Sequence, residues 1–141
     1  MGRHIHGNRP PQASDSALKP DSALNKYLKR VVGSRRKTDL LKYELITMLL
    51  TNFPGAAGLI LRQKIYPLLV GHYGKGTAVS RGVTLRCPNR LSLGAGSMID
   101  DGVFFDIKSD AAAVTLGARS QIMHGAHFET GYSGHITLGD D

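Results

Sequence analysis

Three histidines, His124, His127 and His135, fall within the twelve-residue stretch "HGAHFETGYSGH". Imidazole changes charge near neutral pH, so it can take a proton from a hydroxyl as that hydroxyl attacks. Glu129 stands just past Phe128 and could orient an imidazole. Ala126 and Phe128, on either side of His127, read as inward-facing, so His127 points outward from the middle of a face. His124 falls in a corner, and His135 ends an insertion. His127 and His124 are the candidate catalytic residues. A zinc site needs three converging ligands. His124 and His127 diverge, one at a corner and one on a face, so no metal is expected there. His4 and His6 form H-x-H and read as solvated. No Ser/His/Asp order is evident, and the glycines at 71, 74 and 76 lack the G-K-[ST] of a phosphate-binding loop.

The elements that position these residues repeat. Leu91-Ser92-Leu93-Gly94 returns as Val114-Thr115-Leu116-Gly117 and again as Ile136-Thr137-Leu138-Gly139, at offsets of 23 and 22 residues. Within a repeat, large apolar residues recur every six: Leu93, Ile99, Phe105, then Leu116, Ile122, Phe128, with Val79 and Leu85 before them. Two residues ahead of these stand small or apolar ones, including Val83, Leu91, Ser97, Val103, Val114, Ser120, Ala126 and Ile136. Residues two apart on an extended segment share a face. Each hexad therefore supplies an inward pair and then a corner, where Gly or Asp often follows. Three hexads close one triangular coil, and repeats of this kind are the mark of a solenoid. The excess over eighteen residues falls at one corner, as "KSDAAA" and "TGYSG". The fold class read from this pattern is mainly β, a parallel β-helix of about three coils, preceded by a short α-helical segment. Phe105 is expected over Phe128.

The pattern [aliphatic]-[Gly/Asp]-x-x-[small]-x resembles the hexapeptide repeat of left-handed parallel β-helix acyltransferases over residues 76–141. "VTLRCPNRLSLGAGSMIDDG" (83–102), preceded by "LLKYELITMLLTNFPGAAGLILRQKIYPLLVG" (40–71), looks like a bacterial sugar or polysaccharide O-acetyltransferase-like subgroup. The resemblance implies left-handed coils, acetyl-CoA or another acyl-CoA as co-substrate, a sugar-type acceptor, and a homotrimer with the site in a groove between neighbouring copies. It implies a single His as base, placed several coils further on, beyond residue 141. Leu138 opens a coil that residues 139–141 do not complete, so the chain reads as an N-terminal fragment, inactive by itself. A non-catalytic solenoid that assembles or docks is the competing class.

Charge divides the 141 residues near position 76. Before it, Lys and Arg number 13 against 4 Asp and Glu; from 76 onward they number 5 against 7. Residues 1–37 read as a disordered basic tail, polar, with three prolines and no apolar run of a signal peptide. The single Cys87 excludes an internal disulfide and fits a cytoplasmic protein. Residues 38–75 read as a helical cap or interfacial segment. Thr38-Asp39 is expected to open a helix with Leu41, Leu45, Met48 and Leu49 on one face, and Asn52-Phe53-Pro54-Gly55 to end it. A second helix runs from about Ala56 to Tyr66. The two are expected to cap the first coil near Val79–Leu85. Peripheral contact with the inner face of a membrane through 26–66 is a possible addition, with Lys29, Arg30, Arg35, Arg36 and Lys37 meeting anionic lipid. The cluster lacks interleaved aromatics, so nucleic acid is not expected.

Overall fold

The computed structural model describes residues 22–108 and 111–140. The described chain begins with helices: α1 (Ala23–Tyr27), a π-helical turn (Leu28–Val32), α2 (Lys37–Leu50) and α3 (Gly55–Ile65), which runs into a 3-10 turn at Tyr66–Leu68. Ten short strands follow: β1 (His72–Tyr73), β2 (Ala78–Val79), β3 (Thr84–Arg86), β4 (Leu91–Leu93), β5 (Met98–Ile99), β6 (Phe104–Asp106), β7 (Ala113–Leu116), β8 (Gln121–Ile122), β9 (His127–Glu129) and β10 (His135–Leu138).

The strands visit three sheets in rotation, in the orders β1-β4-β7-β10, β2-β5-β8 and β3-β6-β9. Every pairing is parallel. The architecture is thus mainly β, parallel and solenoid-like, with the chain making successive circuits. His72 pairs with Ser92, Ser92 with Thr115, and Thr115 with Thr137, so the circuits are 20, 23 and 22 residues long. Leu93, Leu116 and Leu138 stack in one column and Ile99 and Ile122 in another. Phe105 stacks on Phe128 with ring centroids 5.1 Å apart and planes 14° from parallel. These columns form a continuous core with Val79, Val83, Leu85, Leu91, Val103 and Val114. The circuits begin at His72, four residues before the expected boundary of 76, because His72 and Tyr73 already pair with β4.

Two columns explain how the turns between the sheets close. Gly74, Gly94 and Gly117 each follow a strand of the four-stranded sheet, and a methyl group on any of them would meet backbone of the next circuit at 2.3–2.5 Å. Only glycine lets the circuits approach so closely. Beside them, the buried hydroxyls of Thr77, Ser97 and Ser120 face the carbonyls released by that turn. Ser97 Oγ lies 2.6 Å from Gly94 O and 3.1 Å from Gly117 O, and Ser120 Oγ repeats the arrangement one circuit on. The small inward residues are therefore partly polar, and the hydroxyl of each donates to a carbonyl at that turn.

The helices close the first edge of the sheets. An edge strand presents unpaired backbone groups. Here Arg62 Nε donates to Val79 O, Tyr43 Oη to Leu85 O, Gly82 N to Thr51 O and Cys87 N to Val31 O. Three readings of this region are corrected. The basic tail expected through residue 37 gives way to helix at Ala23: Ser22 caps it, and Leu28 and Val32, one turn apart, are buried. The part of that tail before residue 22, with His4 and His6, lies outside the described residues. The helix expected to open at Thr38 begins at Lys37, without a side-chain cap; Ser34 Oγ instead accepts from Arg36 N and donates to Asp39. The face of α2 that packs inward holds Tyr43 and Leu50, so the stripe of Leu41, Leu45, Met48 and Leu49 is turned out. α2 is apolar on both sides, and the hydrogen bond from Tyr43 to the sheet edge goes with the side that packs inward.

Candidate active site

The sheet of β3, β6 and β9 has an inner column of Leu85, Phe105 and Phe128. Strand alternation turns the neighbours of these residues outward. One outer column is Thr84, Phe104 and His127; the other is Arg86, Asp106 and Glu129. His127 is thus exposed on a face, as its place between Ala126 and Phe128 requires. Its ring packs on Phe104 with centroids 4.7 Å apart, and the Arg86 guanidinium lies over the same Phe104 ring, 4.9 Å from its centroid. Arg86 also approaches Asp106 at 3.7 Å.

Glu129 divides its carboxylate between two partners. Lys108 Nζ holds Oε1, while Oε2 faces His127 Nε2 at 3.9 Å. That separation is too long for a hydrogen bond, so Glu129 attracts an imidazolium without fixing the ring. The Lys108 ammonium holds the Glu129 carboxyl below the usual range, and its own proton is held more tightly in return. A cleft of about 230 Å³ opens beside this network, between Arg30, Arg86, Asp106, Lys108 and Tyr132.

His124 occupies a different setting. It lies in the turn between β8 and β9, and its ring rests over Gly102 of the preceding circuit. Its Nδ1 is 2.7 Å from the carbonyl oxygen of Asp101. A carbonyl only accepts, so Nδ1 carries the hydrogen and Nε2 is left with the lone pair. That is the tautomer a general base needs, with the ring orientation held by a backbone group. The 23-residue offset puts Asp101 one circuit below His124, so this partner was available to sequence reasoning. It was missed because the group is a carbonyl and leaves no mark in residue type.

His135 begins β10 and is exposed. His124, on its corner, and His127, on its face, do not converge on one ligand position. Among the described residues no three His, Cys, Asp or Glu side chains come together as a metal-binding group. Cys87 is buried at the first edge, with its thiol beside the carbonyls of Lys29 and Arg30, and burial pushes that thiol up, away from the reactive thiolate. No protein family, curated protein or solved structure matches this chain.

Proposed function

We propose that the three sheets are the faces of a hexapeptide-repeat parallel β-helix and that the protein is an acyl-CoA-dependent O-acyltransferase. The acyl group is acetyl in the simplest case, and the acceptor is a hydroxyl of a sugar or polysaccharide precursor. The observation that carries the reading is His124: an imidazole whose Nδ1–H is tied to the Asp101 carbonyl, leaving Nε2 free as a base. The sixfold register of Leu93, Ile99 and Phe105 supports the repeat type.

In this reading Nε2 of His124 takes the proton of the acceptor hydroxyl. The oxygen forms a bond to the thioester carbonyl, the carbon–sulfur bond breaks, and the imidazolium returns the proton to the departing thiolate. The products are an O-acyl ester and free CoA. His127 is the second candidate base. The homotrimer that the resemblance implies would bring a neighbouring copy against an outer face, closing a groove around the base.

The test uses the protein as the cell makes it. Release of CoA thiol from acetyl-CoA is followed with and without monosaccharide acceptors. Acceptor-dependent release is expected. It should fall by about 10²–10⁴ in His124→Ala, the range of general-base catalysis, and by less than about fivefold in His127→Ala, whose imidazole no hydrogen bond fixes. Turnover unaffected by His124→Ala would assign the base elsewhere. Absence of acceptor-dependent release would favour a non-catalytic solenoid that assembles or docks.

A further inference from the structure

The outer side of α2 is the feature that neither the fold nor the proposed chemistry uses. Leu41, Leu45, Met48 and Leu49 follow the i, i+4, i+7, i+8 line of one helix face, and they are 61, 45, 71 and 61 % exposed. Phe53, just past the helix end, is 41 % exposed. Isolated exposed apolar residues are ordinary, but four on one helix line, with Phe53 exposed just beyond, are the kind that marks an interaction surface.

Cations border this line. Lys37 lies one turn before Leu41 on the same side, and Lys42 flanks Leu45 and Leu49 by helical spacing. Arg35 and Arg36 are exposed just ahead of the helix, and on α3 the exposed Lys64 lies one turn beyond the exposed Ile60. Residues 22–75 carry ten Lys and Arg against two Asp and Glu. Both acids are engaged: Tyr27 donates to Glu44 and Ser34 to Asp39.

We infer that α2 lies flat on an anionic membrane surface, with the Leu41–Leu49 stripe among the upper acyl chains and Lys37, Lys42 and Lys64 among the headgroups. The 14 residues of α2 span about 21 Å at 1.5 Å per residue, short of the roughly 30 Å hydrocarbon core. No helix among the described residues is long and apolar enough to cross a membrane. An apolar stripe with a basic border suits the interface plane. A second copy of the chain fits less well, because it would set one strongly positive segment against another. An anionic surface complements both the stripe and its border. The inference stands apart from the acyl-transfer reading, since no residue of the candidate site takes part in it.

Vesicle flotation tests it, with phosphatidylcholine vesicles and with vesicles containing roughly 30 % phosphatidylserine. Flotation with the anionic vesicles is expected, weakening as salt rises. Leu45→Ser with Met48→Ser should weaken it at least tenfold, and Lys37→Gln and Lys42→Gln about fivefold each at low salt. The serine variant should keep the wild-type melting temperature, because both side chains are exposed. If it does not, the lysine variants carry the test. Equal binding to neutral and anionic vesicles, or binding indifferent to all these variants, would overturn the inference. So would absence of flotation, including the case in which the lipid-free protein dimerises through α2 and the serine variant is monomeric.

Discussion

The Nε of Arg62 donates to the carbonyl oxygen of Val79 at 2.7 Å, from a side chain only 2 % exposed. Its Nη1 also donates to Leu50 O and Phe53 O, both at 2.9 Å. One guanidinium thus holds the end of α2, the turn after it and the first edge of the sheets. Arg62→Met keeps most of the volume and removes a donor from three carbonyls, of which Leu50 O still accepts from Phe53 N. Unsatisfied buried acceptors cost about 1–3 kcal/mol each, partly relieved by water, so a net loss of about 3 kcal/mol is expected. Urea unfolding checks it, and a loss under about 1 kcal/mol would mean that Arg62 is not what closes the edge.

The glycine column makes a sharper contrast. A methyl group on Gly94 would stand 2.4 Å from the Gly117 carbonyl carbon, whereas one on Gly131 meets nothing within 4 Å. Gly94→Ala must push two circuits apart and should cost about 2 kcal/mol or more, while Gly131→Ala should stay within about 0.5 kcal/mol. Thermal melts of the two variants against the parent provide the comparison. Equal melting temperatures would remove the argument from close approach.

Tyrosines set the alkaline limit. Burial pushes Tyr73 up to about 12 and raises Tyr43 further; burial, with Glu44 as hydrogen-bond acceptor, pushes Tyr27 up to about 12. The folded values lie above the unfolded value of about 10. The folded chain therefore binds more protons in this range, so its stability is whole below pH 10 and falls between about pH 10 and 12. Tyr43→Phe should cost about 1–2 kcal/mol at neutral pH, because the Leu85 carbonyl loses its donor. It should also soften the alkaline loss. Melting temperatures from pH 7 upward, with tyrosinate absorbance alongside, measure both. An alkaline slope identical to the parent's would exclude Tyr43 from that linkage.

The columns of Leu93, Ile99 and Phe105 were legible because a strict sixfold spacing has few structural meanings. The first circuit was harder to read. Gly74 keeps its place in the glycine column, yet Gly71 and Tyr73 stand where the later strands carry the aliphatic pair Leu91 and Leu93, so the pattern marks the start a few residues late. The helix over residues 23–32 was hidden by polar neighbours, although Leu24, Leu28 and Val32 repeat every fourth residue. In α2, leucines surround the helix, and periodicity cannot choose which side packs. The outward pose of His127 followed from alternation. The role of Asp101 beside His124 did not, because a backbone acceptor can belong to any residue type.

The corner between the β3-β6-β9 sheet and the four-stranded sheet takes Cys87–Arg90 in the first circuit, a stretch that includes Ile107, Lys108, Ala111 and Ala112 in the second, and Thr130–Gly134 in the third. The ladders on either side stay in register throughout. Length at this corner is mechanically uncoupled from the pitch of the stack. The first of these segments is held under the helices through Cys87, but lineages could lengthen or exchange the other two without refolding the body, and an engineer could graft a foreign peptide there, twice over, on one edge of the same shaft.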